Sequence, residues 1–217
     1  MLISLKLNSQ TRNLELISEE AMIKIVVLAS GSGSNAEAII RYAHQHKSFE
    51  VAAVISDRPE ALVLQRAKNF RIEAHVVEKS ETETKISFEQ RLLIEIRKHQ
   101  PDWIVLAGFM KLLSAEFLQN FYDPKIKHFK VVNIHPSLLP LHPGKGAYEQ
   151  AYKAQASEYG CTIHFVDEGM DTGKIIFQER LKSIENESFE SFKERGLDTE
   201  NRIYPIILDK LFKEYSL

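Results

Sequence analysis

Trp103-Ile104-Val105-Leu106-Ala107 is five apolar residues in succession, introduced by Pro101-Asp102 and ended by Gly108. A strand with one wet face alternates apolar and polar side chains, so an unbroken run fits a strand buried on both faces, in a sheet covered by helices on either side. Ile23–Ala29 is a second such run, rich in β-branched residues, and Val51–Ile55 and Ala74–Val77 read as shorter strands. Helical periodicity fills the intervals, after Ala36, over Pro59–Phe70 and over Lys85–His99, and Ser114 is placed to cap a helix over Ala115–Phe121. Strands that alternate with helices predict an α/β fold with a doubly wound, mostly parallel sheet.

The second half changes character. Val131–His135 reads as a strand that Pro136 terminates, because proline cannot donate to a ladder and disfavours helix at the residue before it. Ala147–Ala156 reads as a helix. Gly160–Val166 and Lys174–Glu179, joined by the acidic loop Asp167–Gly173, predict an antiparallel hairpin near the C-terminal end of the sheet. Ser188–Lys213 closes the chain as helix, with Pro205 marking a start or a kink. Residues 1–21 turn polar and acidic before the first convincing strand and are expected to be a flexible extension, or the product of an upstream start codon.

With 217 residues, 44% hydrophobic and 27% charged, the chain has the composition of an ordinary globular domain. A formal net charge of -2 offers no field for a nucleic acid, which favours small-molecule substrates. The single cysteine, Cys161, excludes an intramolecular disulfide and a thiolate-rich zinc site; His44 and His46 sit too close in sequence to share a helical face, and no metal is expected. Neither a membrane-length apolar run nor a signal-peptide pattern is present, so a cytoplasmic location is expected.

Ser30-Gly31-Ser32-Gly33-Ser34-Asn35 lies between the first strand and the first helix. Glycines let a backbone approach an anion, and the unpaired N–H groups of a helix start point at it, so phosphate is the natural occupant. The loop also satisfies the Rossmann-like G-x-G-x-x-A pattern, with Asp57 a distant candidate for a ribose. Asn133 and His135 are two apart in a strand and therefore share a face at its carboxyl end, where open α/β sheets bind ligands. Taken singly, His135 is either a donor at a reacting centre or a ring satisfied by a backbone carbonyl, and Asp171 is either a catalytic carboxylate or a turn former. The apolar loop after Gly108 either plugs the core or lines a pocket for a flat ring.

With the glycine loop, Gly108-Phe109-Met110, the stretch Asn133-Ile134-His135-Pro136-Ser137-Leu138-Leu139-Pro140 and Asp171-Thr172-Gly173 in place, the chain resembles the folate-dependent formyltransferases from about Met22 to Leu211. The strand motif is common to formyl transferases and hydrolases, whereas Gly31–Asn35 resembles the phosphoribosylglycinamide branch. The resemblance implies one formyltransferase domain over residues 22–217, with a Rossmann-like fold. It implies transfer of a formyl group from 10-formyltetrahydrofolate to the amine of glycinamide ribonucleotide, in purine synthesis, without a covalent enzyme intermediate. Asn133, His135 and Asp171 would form the catalytic group. Gly33, Ser34 and Asn35 would hold the substrate phosphate with Lys85, and Glu200 the ribose. Met110, Lys111, Leu112 and Leu113, with Val166, Asp167, Glu168, Gly169 and Met170, would hold the pterin. It further implies a cis peptide at Leu139-Pro140.

The chain departs from the family pattern at Lys145-Gly146, usually Leu-His, and at Lys174, usually Pro. A formyltetrahydrofolate deformylase would keep the trio behind a regulatory domain that 21 residues cannot form. A methionyl-tRNA formyltransferase would add a C-terminal domain and a basic face. A dinucleotide-binding redox enzyme or sensor explains the glycine loop but leaves Asn133, His135 and Asp171 without a task.

Overall fold

The computed structural model describes residues 22–215; the expected extension, residues 1–21, lies outside the described residues. Four strands, β1 (Lys24–Ala29), β2 (Glu50–Ser56), β3 (Glu73–Val76) and β4 (Trp103–Leu106), pair in parallel. Helices α1 (Ser34–His46), α2 (Leu62–Asn69) and α3 (Lys85–Lys98) connect them, as the alternation predicts. All four residues of β4 are buried, so the unbroken apolar run reports a two-faced strand correctly.

Ser114 accepts from the Phe117 N–H and caps α4 (Ala115–Gln119). A small hairpin then follows, β5 (Tyr122–Asp123) against β6 (His128–Phe129), which leads into β7 (Val131–His135) beside β4. After α5 (Ala147–Lys153), strands β8 (Glu158–Phe165) and β9 (Ile175–Lys182) form the antiparallel hairpin, giving the sheet order β3-β2-β1-β4-β7-β8-β9. The sheet is therefore parallel up to β7 and antiparallel beyond it.

α6 (Phe189–Glu214) runs 26 residues as the expected closing helix, with Pro205 buried inside it rather than at its start. Its inner face closes the larger core: Phe212 packs edge-on to Phe49 and against Trp103, and the Tyr204 hydroxyl donates to the carbonyls of Leu106 (2.9 Å) and Val132 (3.2 Å). That hydroxyl ties the helix to two neighbouring strands where they approach the site. α3 and α4 cover the opposite face, with Phe88, Leu92, Ile96 and Phe117 on Val26, Leu28 and Ile104. Leu139-Pro140 is cis. Among the described residues no helix is long and apolar enough to cross a membrane.

Candidate active site

One cavity of about 650 Å³ opens at the carboxyl ends of β1, β4 and β7. Asn133 and His135 line it from β7. The antiparallel register sets Asn133 directly opposite His164 of β8, and the Asn133 Nδ2 lies 3.2 Å from the His164 Nε2. On its other side the His164 ring has Nδ1 at 2.8 Å from the Phe165 carbonyl, which can only accept. Nδ1 therefore carries the proton and Nε2 accepts from the Asn133 amide. Burial, the largest influence on it, lowers the His164 pKa and favours this neutral ring.

Asp171 comes from the loop between β8 and β9, in a left-handed conformation (φ 56). Its Oδ2 lies 3.2 Å from His135 Nδ1 and accepts the Gly144 N–H at 2.8 Å; its Oδ1 is 3.7 Å from His164 Nε2. The loop is pinned by Asp167, whose Oδ1 accepts from the Gly169 N–H and the Thr172 hydroxyl. It also needs Gly173, where a Cβ would fall 1.7 Å from the Phe165 carbonyl oxygen. The remaining His135 nitrogen, Nε2, is 2.8 Å from the His142 carbonyl. Both features read from sequence as alternatives are thus present together: His135 meets a backbone carbonyl and a carboxylate, and Asp171 sits in a turn and faces the ring.

At the other end of the cavity, Gly33 is the N-cap of α1 (φ 78), and no side chain caps the helix. The first amides of a 13-residue helix therefore face the cavity mouth with the dipole behind them. A Cβ at residue 33 would lie 2.8 Å or less from three atoms of Val63 at the start of α2, so glycine is required by space as well as by φ. Asn35 donates to Glu200 Oε2 (2.7 Å), and the Tyr148 hydroxyl donates to Glu200 Oε1. Glu200 is buried, which raises its pKa against the pull of those two donors, and the Asn35 Oδ1 is buried without a partner.

Between the two ends, Met110 and Leu112 on one side and Met170 on the other are each about half exposed at the rim. Ser30 fastens the first of these loops to the glycine loop, donating its N–H to the Gly108 carbonyl (3.1 Å) and accepting the Met110 N–H (2.8 Å). The apolar loop after Gly108 thus lines a pocket, with Leu113 alone buried in the core.

Of the residues singled out from sequence, Gly33, Ser34, Asn35, Met110, Lys111, Leu112, Leu113, Asn133, His135, Val166, Asp167, Gly169, Met170, Asp171 and Glu200 all line this cavity. Lys85 and Glu168 are not among its lining residues. Lys85 starts α3, with its ammonium half exposed and 3.8 Å from Glu89 one helical turn on. Lys145, part of the departure from the family pattern, does line the cavity. Asp57, the candidate for a dinucleotide ribose, is buried and 3.6 Å from Lys111. Sequence reasoning missed His164 and Tyr148. His164 could have been found from its position in the strand after Cys161, had the register against Asn133 been known.

The family described as formyl transferase matches residues 23–208. The phosphoribosylglycinamide formyltransferase of Bacillus subtilis is 39% identical over 191 residues, covering 88% of this chain and 95% of that protein. Its Escherichia coli counterpart is 35% identical, covering 86% and 85%. Among solved structures, glycinamide ribonucleotide transformylase 1 from Geobacillus kaustophilus superposes with a TM-score of 0.80 at 41% identity, covering 88% of this chain and 98% of that one. Phosphoribosylglycinamide formyltransferase from Bacillus halodurans gives a TM-score of 0.80 at 39% identity, covering 87% and 95%.

Proposed function

The chain belongs to the formyl transferase family, and from that membership we propose its reaction. It moves the formyl group of 10-formyltetrahydrofolate onto the amine of N1-(5-phosphoribosyl)glycinamide, a step of purine biosynthesis. The observation that carries this reading to the residues is one cavity with an uncapped helix start at one end and the Asn133-His135-Asp171 group further along it.

The substrate phosphate sits on the amides of Gly33, Ser34 and Asn35, and Glu200 receives the ribose hydroxyls. Lys85 lends the phosphate a cation, and Lys145 at the rim of the cavity is a second one. The pterin lies between Met110–Leu113 and Val166–Met170, whose exposed apolar side chains gain from covering a flat ring.

The glycinamide nitrogen attacks the formyl carbon and an oxyanion forms on the former carbonyl oxygen. Asn133 offers it the amide N–H that His164 does not use, and the His135 ring stands beside it in the same cavity. As the bond from the formyl carbon to folate N10 breaks, His135, held by Asp171, gives a proton to N10 and takes up the proton shed by the attacking nitrogen, so the ring ends as it began. Cys161 takes no part: it does not line the cavity, and burial pushes its thiol up to about 12. With two charged, water-soluble substrates, the enzyme works in the cytoplasm.

The test is formyl transfer from 10-formyltetrahydrofolate to glycinamide ribonucleotide, with free formate measured in parallel. Transfer at the rate of folate consumption is the expected result. Formate released without transfer would make the chain a deformylase instead.

A further inference from the structure

At the far edge of the sheet, two imidazoles and two carboxylates meet where no residue of the cavity reaches. Glu73 and His75 lie two apart on the outermost strand β3 and so share a face; Glu95 and His99 lie four apart at the end of α3 and do likewise. The rings lie 5.0 Å apart between centroids, with a carboxylate on each side. On the open side, Glu73 Oε2 is 3.2 Å from His75 Nε2 and 3.8 Å from His99 Nδ1. On the inner side, Glu95 Oε1 is 3.1 Å from His75 Nδ1 and 3.9 Å from His99 Nε2. Lys98 holds the other Glu95 oxygen at 2.6 Å.

We propose that Glu73, His75 and His99 bind a zinc ion through Glu73 Oε2, His75 Nε2 and His99 Nδ1, with Glu95 as the carboxylate behind the two rings. A tetrahedral zinc with nitrogen and oxygen ligands has ligand-to-ligand edges of about 3.3–3.5 Å, which the 3.2 and 3.8 Å separations bracket. One ligand atom from each of the three residues lies within 4.8 Å of the others. The burial gradient has the right sense. The Glu73 side chain is 67% exposed and His75 34%, leaving a fourth position open to water, whereas His99 is 8% exposed and Glu95 15%.

Ligating histidines donate their other ring N–H to a carboxylate, and Glu95 is placed for both rings at once. The His99 Nε2 is buried with no hydrogen-bond partner, 3.9 Å from the Glu95 Oε1 that already meets His75, and a bound ion that draws the ring into register closes that gap. Burial lowers the His99 pKa, the direction that favours a ligating ring. Two carboxylates, one shared with Lys98, leave the site negative before a divalent ion enters. The ion would staple an edge strand to the helix beside it, far along the sheet from the proposed chemistry.

The experiment uses the full chain, stripped with a chelator and dialysed, then titrated calorimetrically with zinc chloride and, separately, magnesium chloride. The expected result is one zinc per chain at micromolar affinity or tighter, a higher melting temperature with zinc, and no comparable binding of magnesium. Glu95→Gln should weaken zinc by about 10–100-fold, the usual cost of losing such a carboxylate, and His75→Ala and Glu73→Gln should each weaken it more. Both positions are solvent-accessible, so these variants fold, and unchanged formyl transfer without added zinc verifies it. Absence of zinc binding overturns the proposal and leaves His75 as a ring held between two carboxylates. Undiminished binding in both His75→Ala and Glu73→Gln also overturns it, by moving the ion to other histidines.

Discussion

His135→Asn separates two tasks that meet in one ring. If the ring serves only to fasten the turn through the His142 carbonyl, the variant loses stability and keeps its turnover. As the proposed proton carrier, its loss should lower kcat by about 10²–10⁴ with KM little changed. Asp171→Asn should do the same, and the double variant should be scarcely worse than the poorer single one, because the pair acts as a unit; multiplying losses in folded proteins would refute that. Glu200 poses the opposite case, a residue whose presence costs the fold. Its raised pKa means that folding is most favoured below the ordinary value of 4.5 and loses ground as pH climbs through the folded value. Glu200→Gln, with the Asn35 amide turned to present its unpartnered oxygen, should therefore melt higher at pH 7, by about 2–4 °C per kcal/mol gained. The gain should fade below about pH 4.5, and glycinamide ribonucleotide should bind more weakly. An unchanged KM for the ribonucleotide would remove Glu200 from the proposed site.

Elements were legible where side-chain pattern alone decides them. β1, β4 and β7 begin and end within about a residue of expectation, because apolar runs, a glycine and a proline mark them without tertiary help. β5 and β6, two residues each, carry no period to read, and α2 starts at Leu62 because Pro59 and Glu60 go into a turn. The closing helix was legible as well, and packing of its inner face through Tyr204, Leu208 and Phe212 carries it through Pro205 without a new start there. The trio was legible through motif resemblance. His164 was not, since its role rests on strand register, nor was the Glu73-His75-His99 cluster, which joins an edge strand to a helix end. At the glycine loop the element itself can be tested. Gly33→Ala forces a Cβ against Val63 and strains φ, so it should raise the ribonucleotide KM by about tenfold or more, the worth of one charge-assisted hydrogen bond, while the folate KM holds. Equal changes in both would place the phosphate elsewhere.

For the whole molecule, the acid limb of stability carries the mark of the site. Burial lowers the pKa of His164, and His99 and His128 shift the same way, so the unfolded chain takes up protons first as pH falls below about 6.5. Unfolding free energy should decline over that range, and His164→Gln should show a shallower decline in urea titrations at successive pH values; an equal slope would mean the ring is charged in the fold. α6 brings a last consequence, one of synthesis rather than chemistry. Phe212 completes the packing around Phe49 and Trp103, and Glu200 completes the cavity, yet both belong to α6 and leave the ribosome after every strand of the sheet. Until then the nascent sheet carries an uncovered apolar face, a state prone to aggregate and to recruit chaperones. A chain stopped before Asn201 should accumulate as insoluble or chaperone-bound protein during translation, whereas one stopped within the first strands exposes less apolar surface and should be released sooner. Ribosome-bound intermediates of graded length, probed by protease, would show protection arriving in one late step rather than strand by strand.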